Sequence, residues 1–241
     1  MLQIPVFLAR VNPAQYIVHS DLRFPELRPD IPVTTSLVAL RKLLVDAGLD
    51  QARFGSIYWN PFGDLVGPGS RVLVKPNWVH HPRPCEDSLN SLVTHSHVIA
   101  AVLAYLEKVP GCNVVIGDAP VQGCEFEKLL TAYQIQELVH LHRSSFARLN
   151  VVDFRKTIWE RGNQGKRSRQ NCRSDEHFVM FDLAESSYLE NISNDAHRFR
   201  VTVYNPELLL RTHAPGRHRY LVAKEALEAD LGISLDRKSV V

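Results

Sequence analysis

Arg71-Val-Leu-Val-Lys75-Pro76-Asn77 and Asn113-Val-Val-Ile-Gly-Asp-Ala-Pro120 are two short β-branched runs of the kind that form strands buried in a parallel sheet. Between them, Val98, Ile99, Val102, Leu103 and Leu106 recur on one helical face. Thr94-His-Ser-His97 stands before that helix with hydroxyls placed to cap it, and Pro110-Gly111 stops it. Strand, helix, strand is the βαβ order, whose crossover makes the two strands parallel and right-handed in connection. The carboxyl ends of 72–75 and 113–117 therefore share one rim, and in open α/β sheets that rim is where ligands bind. Lys75 precedes a proline, which keeps it extended until the chain turns, so Lys75 and Asn77 fall at the strand's carboxyl end and Asp118 at that of the next.

On the N-terminal side, residues 4–10 read as a short strand, and Phe24, Pro25, Pro29 and Pro32 mark a loop. Thr34 or Thr35 caps a helix that carries Leu37, Val38, Leu40, Leu43 and Leu44 as far as Gly48. A Pro- and Gly-rich break covers Asn60 to Gly69. On the C-terminal side, Phe126, Leu129, Leu130, Tyr133 and Leu138 predict a third helix closed by His140 and His142, and Leu149 to Phe154 a further strand. Residues 161–173 hold five basic residues among Gly, Asn, Gln and Ser and read as a basic loop, extending to about 176. Phe178–Leu183 and Phe199–Val203 read as strands, Tyr220–Ala229 as a short helix and Leu231–Leu235 as a last apolar run. The expected fold class is α/β: a mostly parallel, Rossmann-like sheet flanked by helices, with a β-rich segment inserted or appended after about residue 155. Residues 1–155 form its core and 156–241 its continuation, one domain overall.

Composition narrows the function classes. The 241 residues are 45% apolar and 22% charged, ordinary for a globular protein. With 28 Lys and Arg against 26 Asp and Glu the net charge is +2, which does not point to nucleic acid as a partner. No apolar stretch approaches the ~20 residues that cross a bilayer, so no membrane partner is expected. Met1–Ala9 lacks a basic leader and a small-x-small cleavage pattern, and the expected compartment is the cytoplasm. Cys85, Cys112, Cys124 and Cys172 form no Cys-x-x-Cys pair, so no zinc knuckle or iron–sulfur motif is present.

The rim supplies the candidate chemistry. Lys75, Asn77 and Asp118 bring a cation, an amide and a carboxylate together, a set able to orient a polar or anionic ligand and move a proton. Lys75 has three readings: a base or Schiff-base nucleophile in a dry pocket, a counter-charge to phosphate or carboxylate, or a solvated strand-end lysine. Asp118 serves a ligand or its own turn. Thr94, Gly117, Gln122 and Gly123 are the candidate ligand-binding residues, the last two at the start of a helix whose free N–H groups favour an anion. Gly117-x5-Gly123 is neither a dinucleotide fingerprint nor a P-loop. His80, His81, His95 and His97, with Glu86 and Asp87, invite a metal, but no ligand spacing selects one, and neither metal nor cofactor is named by the residues. Cys124, near a helix start, is a candidate for a lowered thiol pKa. Thr212-His-Ala-Pro-Gly-Arg-His-Arg219 gathers two histidines and two arginines at a turn suited to an anion, placed to complete an anion pocket if it folds over the rim.

Val74-Lys-Pro-Asn77, Thr94 and Val115-Ile-Gly-Asp-Ala-Pro120, in that order, resemble the family catalogued as domain of unknown function 362, less sharply from about Val72 to Leu235. The resemblance implies an α/β protein, of a kind sometimes fused to ferredoxin-like iron–sulfur modules, whose reaction is not established. It singles out Lys75, Asn77, Thr94 and Asp118. Relatives continue after a strand like Ile233-Ser-Leu235 with a Pro-Lys-x-Lys-Thr-His stretch and a further long region, whereas Asp236-Arg-Lys-Ser-Val-Val241 closes this chain, which implies truncation or a frameshift. The expected function is an enzyme-like domain binding a small anionic or polar substrate at the rim, with redox or metal-assisted chemistry implied only by the resemblance. Its rivals are a non-catalytic accessory module served by a separate redox protein, and an inactive fragment.

Overall fold

A computed structural model of the chain describes residues 18–82, 93–161, 167–199 and 206–236. In chain order the elements are α1 (Thr35–Asp46), β1 (Arg71–Pro76), α2 (Ser96–Leu106), β2 (Asn113–Asp118), α3 (Phe126–Ala132), α4 (Ile135–His142) and β3 (Arg148–Asp153). There follow β4 (Thr157–Arg161), β5 (Arg167–Asn171), β6 (Phe178–Asp182), β7 (His213–Ala214), β8 (Arg217–Ala223), α5 (Lys224–Glu228) and β9 (Leu231–Leu235). Two compact units emerge: one runs up to Gln170 and resumes at Ala229, and the other is Asn171–Glu228.

The first unit is built on a four-stranded sheet in the order β3-β2-β1-β9, parallel throughout. The sequence therefore placed the βαβ core correctly, with the α/β class it implies. The chain steps outward from β1 to β2 to β3, then returns at the end to lay β9 on the other side of β1, where Val74 faces Ile233 and Pro76 faces Leu235. The strand order thus reverses beside the carboxyl end of β1, the position where open α/β sheets open a crevice. Val72, Val74, Val114, Ile116 and Leu149 pack with Leu37, Ile99, Leu103, Leu129 and Ile135 in one core cluster, so the β-branched strands and the apolar helix stripes bury each other. At the start of α1 the Thr34 side chain accepts from Leu37 N, the expected cap, and Gly48 at φ +73° takes the left-handed turn past its end.

The second unit is antiparallel, with strands in the order β6-β8-β7. Its strands pair Met180 with Leu221 and His213 with His218. This is the β-rich segment expected after residue 155.

Four local expectations are corrected. The third helix is two, α3 and α4, because Gln134 takes a left-handed φ of 54° that a continuous helix does not allow. Tyr220 to Ala223 belongs to strand β8 and only Lys224–Glu228 is helical, since pairing with β6 overrides a weak helical pattern. Of the basic segment, Arg161 closes β4 and Arg167–Asn171 forms its partner β5, where a loop was expected, while 162–166 lie outside the described residues. Thr94 does not cap α2: the helix begins at Ser96 with His95 at its N-cap making no side-chain cap bond. The expected strands at 4–10 and, beyond Phe199, at 200–203 lie outside the described residues. No helix among the described residues is long and apolar enough to cross a membrane.

The segment from α1 to β1 is pinned by a buried carboxylate. Asp50 accepts from Asn60 N at 2.6 Å and from Arg53 Nε at 2.7 Å, while its own N–H donates to Asp64. This fixes the chain around Trp59, which is fully buried and donates its indole N–H to Leu49 O. Burial pushes the Asp50 carboxyl up, but the Asn60 amide and the Arg53 guanidinium outweigh it and hold the group below its ordinary 3.8. A carboxylate with a depressed folded pKa adds stability that is present above the unfolded pKa and lost as pH falls through the folded value. Asp50→Asn is therefore expected to lower stability at pH 7 and to lessen the further loss on acidification from pH 5 to 3. Urea unfolding at those pH values measures both.

Candidate functional site at the carboxyl rim

Past Pro76 the central strand leaves the sheet, and the next two backbone N–H groups must find acceptors elsewhere. Asn77 N donates to Thr94 Oγ1 at 2.9 Å, and Thr94 N donates back to Asn77 O at 2.9 Å. Trp78 N donates to Asp118 Oδ2 at 2.7 Å. Trp78 is fully buried against Phe126, with its ring edge-on at 5.9 Å.

Asp118 is the hub. It is 7% exposed, and besides Trp78 N it receives Ala119 N at 2.8 Å and the Lys75 ammonium at 2.9 Å, both on Oδ1. The expected proximity of Lys75 and Asp118 is thus a direct ion pair across β1 and β2. The Lys75 side chain is 47% exposed and also donates to Pro76 O at 3.2 Å. It is a rim cation held by a buried carboxylate, with one face in solvent. That exposed, paired geometry is one of a counter-charge and not of a nucleophile in a dry pocket.

Thr94 does more than meet Asn77. Its hydroxyl, buried with the residue 4% exposed, also donates to Leu235 O at 2.5 Å, which ties the carboxyl ends of β1 and β9 together at the reversal point. Both hydroxyl functions are thus engaged by backbone. Gly117 is glycine for packing: a Cβ there would stand 2.4 Å from Phe154 Cζ and 2.7 Å from Val152 O. These two candidate ligand-binding residues shape the rim from beneath.

Gln122 and Gly123 lie on the loop between β2 and α3, and a buried arginine holds that loop. Arg155 is 5% exposed, pairs with Asp153 at 2.6 Å and donates through Nη1 to Val121 O at 3.0 Å and Cys124 O at 2.9 Å. Nothing in the sequence marked Arg155, because the two carbonyls it holds lie some thirty residues away and no local pattern links them to it. Two amides at the end of this loop are already used: Cys124 N bonds Val121 O, and Glu125 N donates to His81 Nδ1 at 2.9 Å. Glu125 also stands at the start of α3, its carboxyl held low mainly by hydrogen bonding to Lys128, so that helix start already carries a negative charge. Gln122 Oε1 is buried with no partner among the described residues. Burial pushes the Cys124 thiol up, more than the His81 amide and the Arg155 guanidinium pull it down, which reverses the expectation of a lowered value.

The histidines separate into pairs. His80 and His81 pack at 4.3 Å, and His95 stacks on His97 at 5.1 Å and meets Tyr133 edge-on. No group of three or more His, Cys, Asp or Glu among the described residues is arranged to hold a metal ion. Glu86 and Asp87 lie outside those residues. His142, at the end of α4 as expected, is buried and bonds Glu107 at 2.6 Å. The Thr212–Arg219 turn belongs to the second unit and meets acceptors there: His218 bonds Glu190, Arg219 meets Asp182, and Arg217 donates to Leu210 O.

Residues 72–170 match the family model described as Domain of unknown function (DUF362). No curated protein and no solved structure matches the chain. The matched span holds every candidate rim residue, and Leu235, which closes the rim through Thr94, lies past its end.

Thr94→Val keeps the shape of the side chain and strands Asn77 N and Leu235 O. It is expected to cost roughly 1–3 kcal/mol, while Thr94→Ser keeps most of the stability. Chemical denaturation of both variants checks the tie.

Proposed function

We propose that this chain, whose residues 72–170 match the DUF362 family model, binds a small anionic or polar substrate at the carboxyl rim, with Lys75 as its counter-charge. The observation that carries the reading is the ion pair of Lys75 with buried Asp118 at 2.9 Å, at the carboxyl ends of β1 and β2 and beside the point where the strand order reverses. Asp118 fixes the ammonium by direct contact, and two backbone N–H donors, Trp78 and Ala119, keep Asp118 in place. The half-exposed ammonium offers charge to a ligand without having to be dragged out of the core. In this reading Asn77, two residues along the chain, supplies an amide, and Gln122, with its buried carbonyl oxygen, a second on the adjoining loop.

In this reading Asp118 and Thr94 position, and Lys75 and Asn77 touch the ligand. The enzyme-like role rests on this donor set, and redox or metal-assisted chemistry rests on family association alone. We place the protein in the cytoplasm, where free thiols such as Cys112, Cys124 and Cys172 stay reduced.

The test is a thermal-shift screen of small phosphates and carboxylates on the whole chain, followed by titration of the best binder. Lys75→Ala is expected to weaken binding at least about tenfold, the loss of one charge-assisted hydrogen bond, with Lys75→Arg retaining part of it. Equal affinity in Lys75→Ala removes Lys75 from the site.

A further inference from the structure

In the second unit two histidines face each other across neighbouring strands. His213 on β7 and His218 on β8 are register partners, so their side chains share one face of the hairpin. Their Nδ1 atoms are 3.4 Å apart, with rings stacked at 5.6 Å. That separation is long for a hydrogen bond. It matches two nitrogens on one tetrahedral ion, which at Zn–N distances of about 2.0–2.1 Å lie about 3.3–3.4 Å apart.

The far side of the pair is already arranged. His218 is fully buried, and its Nε2 meets Glu190 Oε2 at 2.8 Å. Glu190 accepts in addition from Gly216 N at 3.2 and 3.0 Å, which keeps the carboxylate aimed at the imidazole. A carboxylate that takes Nε2–H fixes the tautomer in which Nδ1 carries the lone pair, the arrangement by which proteins orient metal-binding histidines. His213 is only partly buried, packed beside Tyr220 at 5.1 Å and Phe199 at 6.2 Å.

We propose that His213 Nδ1 and His218 Nδ1 form a two-histidine site for a borderline divalent transition metal such as Zn²⁺, oriented from behind by Glu190, with the remaining coordination positions taken by water or an exchangeable ligand. Imidazole nitrogens favour Zn²⁺, Cu²⁺ and Ni²⁺ over Mg²⁺ or Ca²⁺, which want oxygen. Two protein ligands are one fewer than the three of catalytic zinc sites, which leaves two positions of a tetrahedral ion to exogenous ligands.

The experiment is titration of the full chain with Zn²⁺ alone, followed by calorimetry and by long-range ¹H–¹⁵N NMR of the histidine rings. One ion bound per chain, with the Nδ1 signals of His213 and His218 shifting and Nε2–H of His218 retained, is the expected result. His213→Asn, checked for folding by circular dichroism, is expected to abolish that binding event. Glu190→Gln is expected to weaken it by about tenfold or more. Absence of binding at millimolar Zn²⁺, unshifted Nδ1 signals, or full binding in folded His213→Asn overturns the assignment. The NMR readout uses the unaltered protein and decides the question even where a variant fails to fold.

Discussion

A central parallel strand that must stop inside the molecule sets a constraint on everything around it. β1 is hydrogen-bonded on both sides, and Pro76 ends that pairing because it has no N–H to give. The amides of Asn77 and Trp78 then lie beyond the ladder and in the interior, where an unpaired N–H is costly. Thr94 and Asp118 accept them. Without those two side chains, the turn after β1 has no way to bury Trp78, and the neighbouring elements lose the floor they pack on.

The rest of the rim follows from how those acceptors are held. Asp118 has to sit at the end of β2 with a small residue before it, because Phe154 occupies the space beside Gly117. The chain then turns into the 121–124 loop, which Arg155 secures from the end of β3. Thr94 in turn reaches Leu235 O, which locks the returning strand β9 beside β1. The strand ends are thereby fixed by Thr94, Asp118 and Arg155, and the Lys75 ammonium reaches into solvent from among them. The function we propose uses that one outward-facing charge.

The βαβ core was legible because its signals are local. Apolar periods, Pro76, Gly117 and the Pro110-Gly111 stop all act within a few residues of themselves. Lys75 and Asp118 were legible as rim residues once the strands were known to be parallel. The roles of Thr94 and Gly117 were not, because a cap and a tie between strands look alike in a sequence, and a glycine that accommodates an aromatic ring looks like one that accommodates a phosphate. Arg155 and Leu235 gave no signal, since a buried guanidinium and a backbone carbonyl become partners only through distant folding.

By itself, the sequence determined the class of the fold, the strands β1, β2 and β3, the helices α1 and α2, and the rim on which Lys75 and Asp118 fall. These depend on side-chain period and on the intrinsic preferences of Pro and Gly, which short segments carry with them. The tertiary structure alone decided that β9 returns beside β1, that α3 and α4 are separate, that 217–223 is strand, and that His213 faces His218. Each of these rests on pairing or packing between residues remote in sequence or on a single left-handed residue, and the free energy of such contacts overrides local preference.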